Sequence, residues 1–76
     1  MNILTFTEMG ECKGHADYTI READTGFLIG YAEWVDVAKQ YAFRPRIEHG
    51  KAERIYGPVL VEIGQRMNRI TKGQQP

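Results

Sequence analysis

The sequence predicts a single α+β domain, in which an antiparallel sheet of three to four strands is covered on one face by one C-terminal helix. Two observations support this fold class. Apolar and polar residues alternate in the first half of the 76-residue chain, as they do in half-buried strands. Near the C-terminus, apolar residues recur every three or four positions, which is typical of an amphipathic helix. A chain of this length forms one domain, which we predict to span residues 1–73.

The strands are predicted from alternating runs that end at turn residues. These runs are residues 2–7, 17–23, 27–34 and 41–44. The last run ends at Pro45, because proline has no N–H to donate to a β-ladder. The connections are predicted as a loop over residues 8–14, a turn over residues 35–40 and a polar, irregular, mobile loop over residues 46–55.

The helix is predicted to begin at Gly57-Pro58, since proline is favoured at the first helical position. It is predicted to end at Gly73, before a disordered tail of residues 74–76. The apolar stripe that should face the sheet consists of Tyr56, Leu60, Ile63, Met67 and Ile70. The polar residues assigned to the opposite side are Glu62, Gln65, Arg66 and Arg69.

The turn Asp24-Thr25-Gly26 sets the pairing of the second and third strands. Gly26 can take a positive φ, so a bulged three-residue loop is predicted. The pairs that follow are Ala23–Phe27, Ile20–Gly30 and Tyr18–Ala32. The helix-facing side then carries Tyr18, Ile20, Leu28, Gly30, Ala32 and Trp34, with Trp34 buried. The other side carries Thr19, Arg21, Phe27, Ile29, Tyr31 and Glu33.

Composition and charge exclude several classes of protein. A single cysteine excludes an internal disulfide, and neither a signal peptide nor a membrane span is predicted, so we expect a cytoplasmic location. The net charge is zero, but residues 1–40 hold seven acidic and three basic side chains, whereas residues 41–76 hold three and seven. This asymmetry indicates either charged working surfaces or two halves whose charges mix in space.

Catalytic chemistry has little support in the sequence. The chain contains no serine, and Cys12, His15 and Asp17 lie in a glycine-containing stretch that is a poor scaffold for a cysteine nucleophile. Cys12, His15 and His49 are three candidate zinc ligands, but a structural zinc site takes four. We therefore predict no catalytic residue, no metal, no cofactor and no enzymatic activity.

A small nucleic-acid-binding module is the alternative function. The candidate residues are Arg44, Arg46, Lys51 and Arg54, with the aromatic residues Tyr41 and Phe43 close by in the sequence. Glu48, Glu53 and the zero net charge argue against this alternative, because nucleic-acid-binding domains usually carry a basic excess.

The predicted register leaves Phe27, Ile29 and Tyr31 on the side of the sheet that faces away from the helix, with Arg21 and Arg44 at the edge. A contiguous exposed apolar patch often marks an interface, and tyrosine and arginine are common in interface hot spots. We therefore predict that these five residues bind another protein chain. The alternative is a slipped register in which the three apolar residues belong to the core.

Three stretches carry a resemblance to known proteins: Gly30-Tyr31-Ala32-Glu33-Trp34, Tyr41-Ala42-Phe43-Arg44-Pro45 and Leu60-Val61-Glu62-Ile63. Over residues 17–70 the chain resembles, in size and aromatic spacing, small uncharacterised α+β accessory proteins of bacteria and their phages. The resemblance implies a binder of host or defence machinery, for example an inhibitor of CRISPR complexes. We therefore expect a protein-binding accessory module that acts as an inhibitor or adaptor of a larger complex, or as a homodimer.

Overall fold

The computed structural model describes residues 3–52 and 54–76 and confirms the α+β fold class. The strands are β1 (Leu4–Cys12), β2 (His15–Glu22), β3 (Leu28–Val35), β4 (Gln40–Pro45), β5 (Ile47–Glu48) and β6 (Lys51–Ala52), and the helix is α1 (Gly57–Thr71). Within the described residues, β1 to β4 form one antiparallel sheet in sequence order, and β5 pairs with β6. The helix α1 packs against one face of the four-stranded sheet.

Strand β1 extends further than predicted, because it runs through most of the expected loop over residues 8–14. It ends in a two-residue turn in which Lys13 and Gly14 have φ angles of 53° and 83°. Two consecutive positive φ angles define the tight turn that suits a β-hairpin. The register of β1 shifts between Glu8 and Gly10, which marks a β-bulge at Met9.

The hairpin of β5 and β6 lies where an irregular loop was predicted. Its turn residues, His49 and Gly50, have φ angles of 54° and 75°, so it repeats the turn geometry at the end of β1. The predicted irregular loop over residues 46–55 is therefore wrong for this part of the chain. Met1, Asn2 and Glu53, which belong to the predicted domain, lie outside the described residues.

The turn between β2 and β3 is one residue longer than predicted. Glu22 closes it, since its N–H donates to the Phe27 carbonyl (2.9 Å) and its carbonyl accepts from the Gly26 N–H (2.8 Å). The φ angle of Gly26 is 74°, as the turn requires. The Thr25 hydroxyl donates to the Glu22 carboxylate (2.9 Å) and accepts from the Phe27 N–H (3.2 Å). The predicted Ala23–Phe27 pair is wrong, because Ala23 lies inside the turn.

A β-bulge at Ile29 brings the strands back into the predicted register. Ile20 pairs with Gly30, as predicted, but Arg21 pairs with Leu28, so Ile29 has no partner of its own on β2. The extra residue reverses the faces of the residues before it, because side chains alternate along a strand. Ile29 is therefore in the core, where it is 8% exposed, and Leu28 shares the opposite face with Arg21. The predicted faces of Leu28 and Ile29 are wrong.

The core lies between the sheet and α1. Trp34 is buried, as predicted, and its ring packs edge-on against Tyr41 with the ring centroids 5.4 Å apart. The Tyr41 hydroxyl donates to the Ala16 carbonyl (2.7 Å). Burial raises the pKa of the Tyr18 and Tyr41 phenols, so the fold favours their neutral form. The buried apolar residues are Leu4, Tyr18, Ile20, Ile29, Ala32, Trp34, Tyr41, Ile63 and Ile70.

Gly30 allows β3 and β4 to approach each other closely. A Cβ atom at this position would lie 2.4 Å from the Arg44 carbonyl oxygen and 2.7 Å from the nearest atom of the Phe43 ring. The half-buried Phe43 ring occupies the space that a side chain would need. Glycine at position 30 is therefore a packing requirement of the sheet.

The helix begins and ends as predicted, but it presents a different face to the sheet. It starts at Gly57, and Gly73, with a φ angle of 79°, follows its last turn. Leu60 and Tyr56 are 47% and 73% exposed, so their predicted place in the buried stripe is wrong. Arg66, which was assigned to the solvent side, is buried. The sheet-facing residues of α1 are Val59, Ile63, Arg66, Met67 and Ile70.

Arg66 connects the helix to the edge strand β1. Its side chain is almost fully buried, and Nη1 donates to the Leu4 carbonyl. Its guanidinium carbon lies 4.6 Å from the centroid of the Phe6 ring, and Nε donates to the Pro76 carbonyl at 3.0 Å. Burial lowers the pKa of this guanidinium, whereas Glu62, 3.9 Å away, favours its charged form. These contacts supply the hydrogen bonds that a buried cation requires.

The chain after α1 contacts the helix again. The Gln74 N–H donates to the Arg69 carbonyl at 2.9 Å, and the Pro76 carbonyl accepts from Arg66. The disordered tail over residues 74–76 and the domain boundary at residue 73 stay predictions. In the part of the chain that the structure describes, no helix has the length and apolar character needed to cross a membrane.

We predict that Ile63→Ala lowers the free energy of unfolding by about 2–5 kcal/mol, because Ile63 is 2% exposed and truncation leaves a cavity. Leu60→Ala is the matched control on the same helix and should cost less than about 1 kcal/mol, since nearly half of this side chain is exposed. Urea denaturation followed by Trp34 fluorescence measures both values. Equal losses for the two variants would show that α1 packs with the stripe predicted from the sequence.

Candidate functional site

Two adjoining clefts lie at the end of the molecule where α1 begins. The first cleft is bounded by the β2–β3 turn and the start of the helix, and its lining is Glu22, Phe27, Ile29, Arg54, Ile55, Tyr56 and Val59. The second cleft lies against the β5–β6 hairpin, and its lining is Glu48, His49, Lys51, Ala52, Arg54 and Tyr56. Because Arg54 and Tyr56 line both clefts, the two clefts are next to each other.

The first cleft has an apolar floor that the β-bulge creates. Ile29 is turned to the helix side of the sheet by the bulge, and it meets the half-buried residues Ile55 and Val59 there. Phe27, two residues before Ile29, forms one wall and is 45% exposed. The longer turn and the bulge together therefore place Phe27 and Ile29 beside the helix.

Exposed apolar residues are concentrated around the clefts. Away from the segments that form the clefts, the large exposed apolar residues of the described chain are Met9, Val37 and Ile3, of which Ile3 lies beside the β2–β3 turn. The segments that form the clefts contribute five more: Phe27 and Tyr56 line the clefts, and Ile47, Leu60 and Val61 adjoin lining residues in the chain. We call these five residues and the two clefts the helix-start surface. A concentration of exposed apolar side chains of this kind is typical of a surface that binds a partner.

The charged groups of the helix-start surface fall into two classes. The acidic groups have partners, since Glu22 accepts from the Thr25 hydroxyl at 2.9 Å and Glu48 pairs with Arg46 at 3.0 Å. Arg46 also stacks over the Phe27 ring, with its guanidinium carbon 4.9 Å from the ring centroid. By contrast, Lys51 and Arg54 form no ion pair and no side-chain hydrogen bond with any described residue.

The five residues predicted as a protein interface do not share one face. Phe27 and Ile29 line the first cleft on the helix side of the sheet, and Ile29 is buried. The other three, Arg21, Tyr31 and Arg44, belong to the face that the helix does not cover. The prediction of one contiguous patch away from the helix is therefore wrong, because the bulge divides it.

Arg21 and Arg44, on the uncovered face, already form hydrogen bonds within the chain. Arg21 Nη1 donates to the Gly26 carbonyl at 3.0 Å, which holds the side chain against the turn. Arg44 makes two hydrogen bonds to the Glu33 carboxylate, at 2.9 and 3.0 Å, and lies 4.2 Å from the centroid of the Tyr31 ring. The hydrogen bonds to Glu33 raise the pKa of Arg44 above its usual value. This face therefore offers few uncommitted groups to a ligand.

The residues of the predicted nucleic-acid site are separated in a similar way. Arg46, Lys51 and Arg54 lie at or near the helix-start surface, whereas Arg44 lies on the uncovered face of the sheet. Tyr41 is buried, and half-buried Phe43 packs over Gly30, so these two rings are occupied by core contacts. The aromatic residues that adjoin the three basic side chains are instead Phe27 and Tyr56.

Cys12 and His15 are not part of the helix-start surface. Cys12 is exposed at the end of β1, and His15 stacks on Trp34 with the ring centroids 3.6 Å apart and the planes 11° apart. The Asp17 carboxylate accepts a hydrogen bond from the backbone N–H of Trp34 at 3.0 Å. Among residues 3–52 and 54–76, no group of three histidine, cysteine or acidic side chains is arranged to hold a metal ion.

Sequence reasoning missed Ile47, Tyr56, Leu60 and Val61 as surface residues. Tyr56 and Leu60 were assigned to the core because they continue the helical spacing of Ile63 and Met67. Val59 precedes Ile63 by four positions and Leu60 precedes it by three, and both spacings are typical of residues on one face of a helix. The pattern alone does not choose between two adjacent apolar residues.

Comparison with known proteins does not place the chain in a group. No model of a protein family matches it, and neither a curated protein nor a solved structure is similar to it. The functional argument therefore rests on the geometry of the helix-start surface.

We predict that two truncations at the first cleft lower the free energy of unfolding by clearly different amounts. Ile29→Ala should lower the free energy of unfolding by about 2–5 kcal/mol, because the side chain is buried in the core. Phe27→Ala should cost about 1 kcal/mol or less, since the ring is 45% exposed and its contact with Arg46 is at the surface. Urea denaturation of both variants is the test. A larger loss for Phe27→Ala would contradict the bulge at Ile29.

Proposed function

We propose that this protein is a small binding module whose helix-start surface contacts another protein chain. The observation that supports this proposal is the concentration of exposed apolar side chains around two clefts. Phe27 is 45%, Leu60 is 47% and Tyr56 is 73% exposed, and each forgoes the stabilisation that burial of a large apolar group provides. A protein partner would bury these residues together, and tyrosine and phenylalanine are enriched in such interfaces.

The charge distribution favours a protein over a polyanion as the partner. Acidic and basic side chains both line the clefts, and the net charge of the whole chain is zero. Nucleic-acid-binding domains usually carry a basic excess, which this chain lacks. A protein partner does not require such an excess.

A role as an accessory factor accords with the size of the domain. A 76-residue chain has room for one binding surface and one core, which suits an inhibitor or adaptor of a larger complex. We extend the proposal to a cytoplasmic protein of phage or mobile-element origin that acts on a host or defence complex. A second copy of the chain is the other protein partner that we consider.

The proposal predicts that Leu60→Glu abolishes partner binding and leaves the fold intact, because Leu60 is exposed in the monomer. Val37→Glu is the matched control, since Val37 is 95% exposed in the turn between β3 and β4, at the far end of the sheet. Tagged wild type and both variants are used for pull-down from the source cell, with mass spectrometry. Light scattering of the same proteins detects a homodimer.

The expected result is a set of captured proteins, or a dimer, that is lost in Leu60→Glu and retained in Val37→Glu. If folded Leu60→Glu captures the same partners as the wild type, the helix-start surface is not the binding site.

Nucleic-acid binding is the second candidate function, because Arg46, Lys51 and Arg54 lie at one end of the molecule beside Phe27 and Tyr56. Under this alternative, affinity for a labelled single-stranded oligonucleotide should fall steeply as salt rises. The double variant Lys51→Ala/Arg54→Ala should weaken the binding and reduce its salt dependence. Fluorescence anisotropy at several salt concentrations measures both effects. Absence of salt-dependent binding by the wild type would exclude this function.

A further inference from the structure

The geometry points to an occupant of the first cleft: an acidic segment of the protein partner that inserts one aromatic or aliphatic side chain and places its carboxylates against Arg54 and Lys51. This inference rests on the proposed function and names the chemistry of the partner. It depends on three features of the helix-start surface, which are the size of the first cleft, its apolar floor and two cations that lack a partner among the described residues.

The first cleft has the size and lining to hold one side chain. Its volume is about 160 Å³, and Ile29, Ile55, Val59 and Phe27 form its apolar surface. A cavity of about 150 Å³ with a similar aliphatic and aromatic lining binds a benzene ring. An aromatic or large aliphatic side chain therefore fits the first cleft, and a planar ring can pack against the exposed Phe27 ring.

The two cations without a partner in the described part of the chain favour acidic residues on either side of the anchor. Arg54 lies where the two clefts meet, and Lys51 lies in the second cleft next to it. Neither has an ion-pair partner among the described residues, whereas Glu22 and Glu48 are hydrogen-bonded or paired. An approaching carboxylate can therefore pair with Arg54 or Lys51 without first breaking an existing ion pair. Arginine can bind such a carboxylate through two parallel hydrogen bonds.

The spacing within the surface favours a peptide segment over an isolated small anion. An extended chain places successive side chains about 3.3 Å apart along its axis and on alternate faces. The residues next to an anchor in the first cleft therefore point away from the surface, whereas those two positions away share its face and reach the rim, near Arg54 and Tyr56. A segment with acidic residues two positions before and two positions after an apolar anchor matches this arrangement.

The test uses the peptide Ac-Asp-Gly-Phe-Gly-Asp-NH₂ and ¹⁵N-labelled wild-type protein in an NMR titration. We expect saturable shifts of the amide signals of Phe27, Ile29 and Tyr56, with signals of the β3–β4 turn unchanged. Ac-Lys-Gly-Phe-Gly-Lys-NH₂ removes the carboxylates and Ac-Asp-Gly-Ala-Gly-Asp-NH₂ removes the anchor. Each control peptide should bind at least about tenfold more weakly, which corresponds to about 1.4 kcal/mol.

The matched variants separate the role of Arg54 from a general effect of charge. Arg54→Glu should weaken binding of the acidic peptide at least about tenfold, whereas Arg69→Glu, the same substitution at an exposed site in the last turn of α1, should leave it unchanged. Equal effects of the two variants, or equal binding of all three peptides, would overturn the inference.

The outcomes distinguish this inference from the proposed function. In one outcome, Leu60→Glu loses the partners captured from the cell, Arg54→Glu retains them, and the acidic peptide does not bind. The helix-start surface is then the binding surface, but the acidic occupant is wrong. If a ten-nucleotide oligouridylate shifts the same amide signals in a salt-dependent manner and the peptides do not, the occupant is a nucleic acid and both proposals fail.

Discussion

The arrangement of this molecule depends on one extra residue in β3. Glu22 closes the preceding turn with two backbone hydrogen bonds, and the pairing of Ile20 with Gly30 fixes the rest of the strand. Between these two fixed points β3 has one residue more than β2, and the surplus is accommodated as a β-bulge at Ile29. Because side chains alternate along a strand, the bulge moves Ile29 into the core and Phe27 to the edge of the helix. The floor and one wall of the first cleft follow directly from this local irregularity.

Arg66 provides the second constraint, because it fixes where the helix lies across the sheet. Glu22, the cross-strand neighbour of Leu4, directs its N–H and carbonyl to the turn before β3, so the Leu4 carbonyl points to the outer edge of β1. Arg66 binds this outward carbonyl and packs on Phe6. The helix thereby covers one end of an exposed strand edge, which is a site of unwanted pairing in many sheets. Truncation of Arg66 would remove the hydrogen-bond donor of the Leu4 carbonyl, so this contact ties the position of α1 to the edge of β1.

The two sides of the molecule differ in how many of their side chains already have contacts with other described residues. On the uncovered face of the sheet, Arg44, Glu33 and Tyr31 form a closed set of contacts, and Arg21 is bonded to the turn. At the helix-start surface, apolar rings are exposed and two cations lack partners within the described chain. Binding free energy comes from groups that gain contacts on association, so the unsatisfied end of the molecule is the stronger candidate for a working surface. The bulge at Ile29 divides the predicted patch and places Phe27 and Ile29 at the helix-start surface instead.

The sequence by itself determined the fold class and the helix limits near Gly57 and Gly73, because alternation, helical spacing and turn residues act over a few neighbouring positions. The strand pairs Ile20–Gly30 and Tyr18–Ala32 agree with the prediction because the longer turn and the bulge at Ile29 offset each other. It did not determine which residues face which side near the turn, since a change of one residue in loop length reverses every face and leaves the pattern almost unchanged. It also did not determine the buried side of α1, because Val59 and Leu60 are both apolar. The tertiary structure decided that choice through Arg66, whose hydrogen-bond acceptor, the Leu4 carbonyl, lies 62 positions away in the chain. The local pattern assigns a polar residue such as Arg66 to the solvent side. Its burial is favourable because the Leu4 carbonyl and the Phe6 ring, both distant in the chain, contact its guanidinium group.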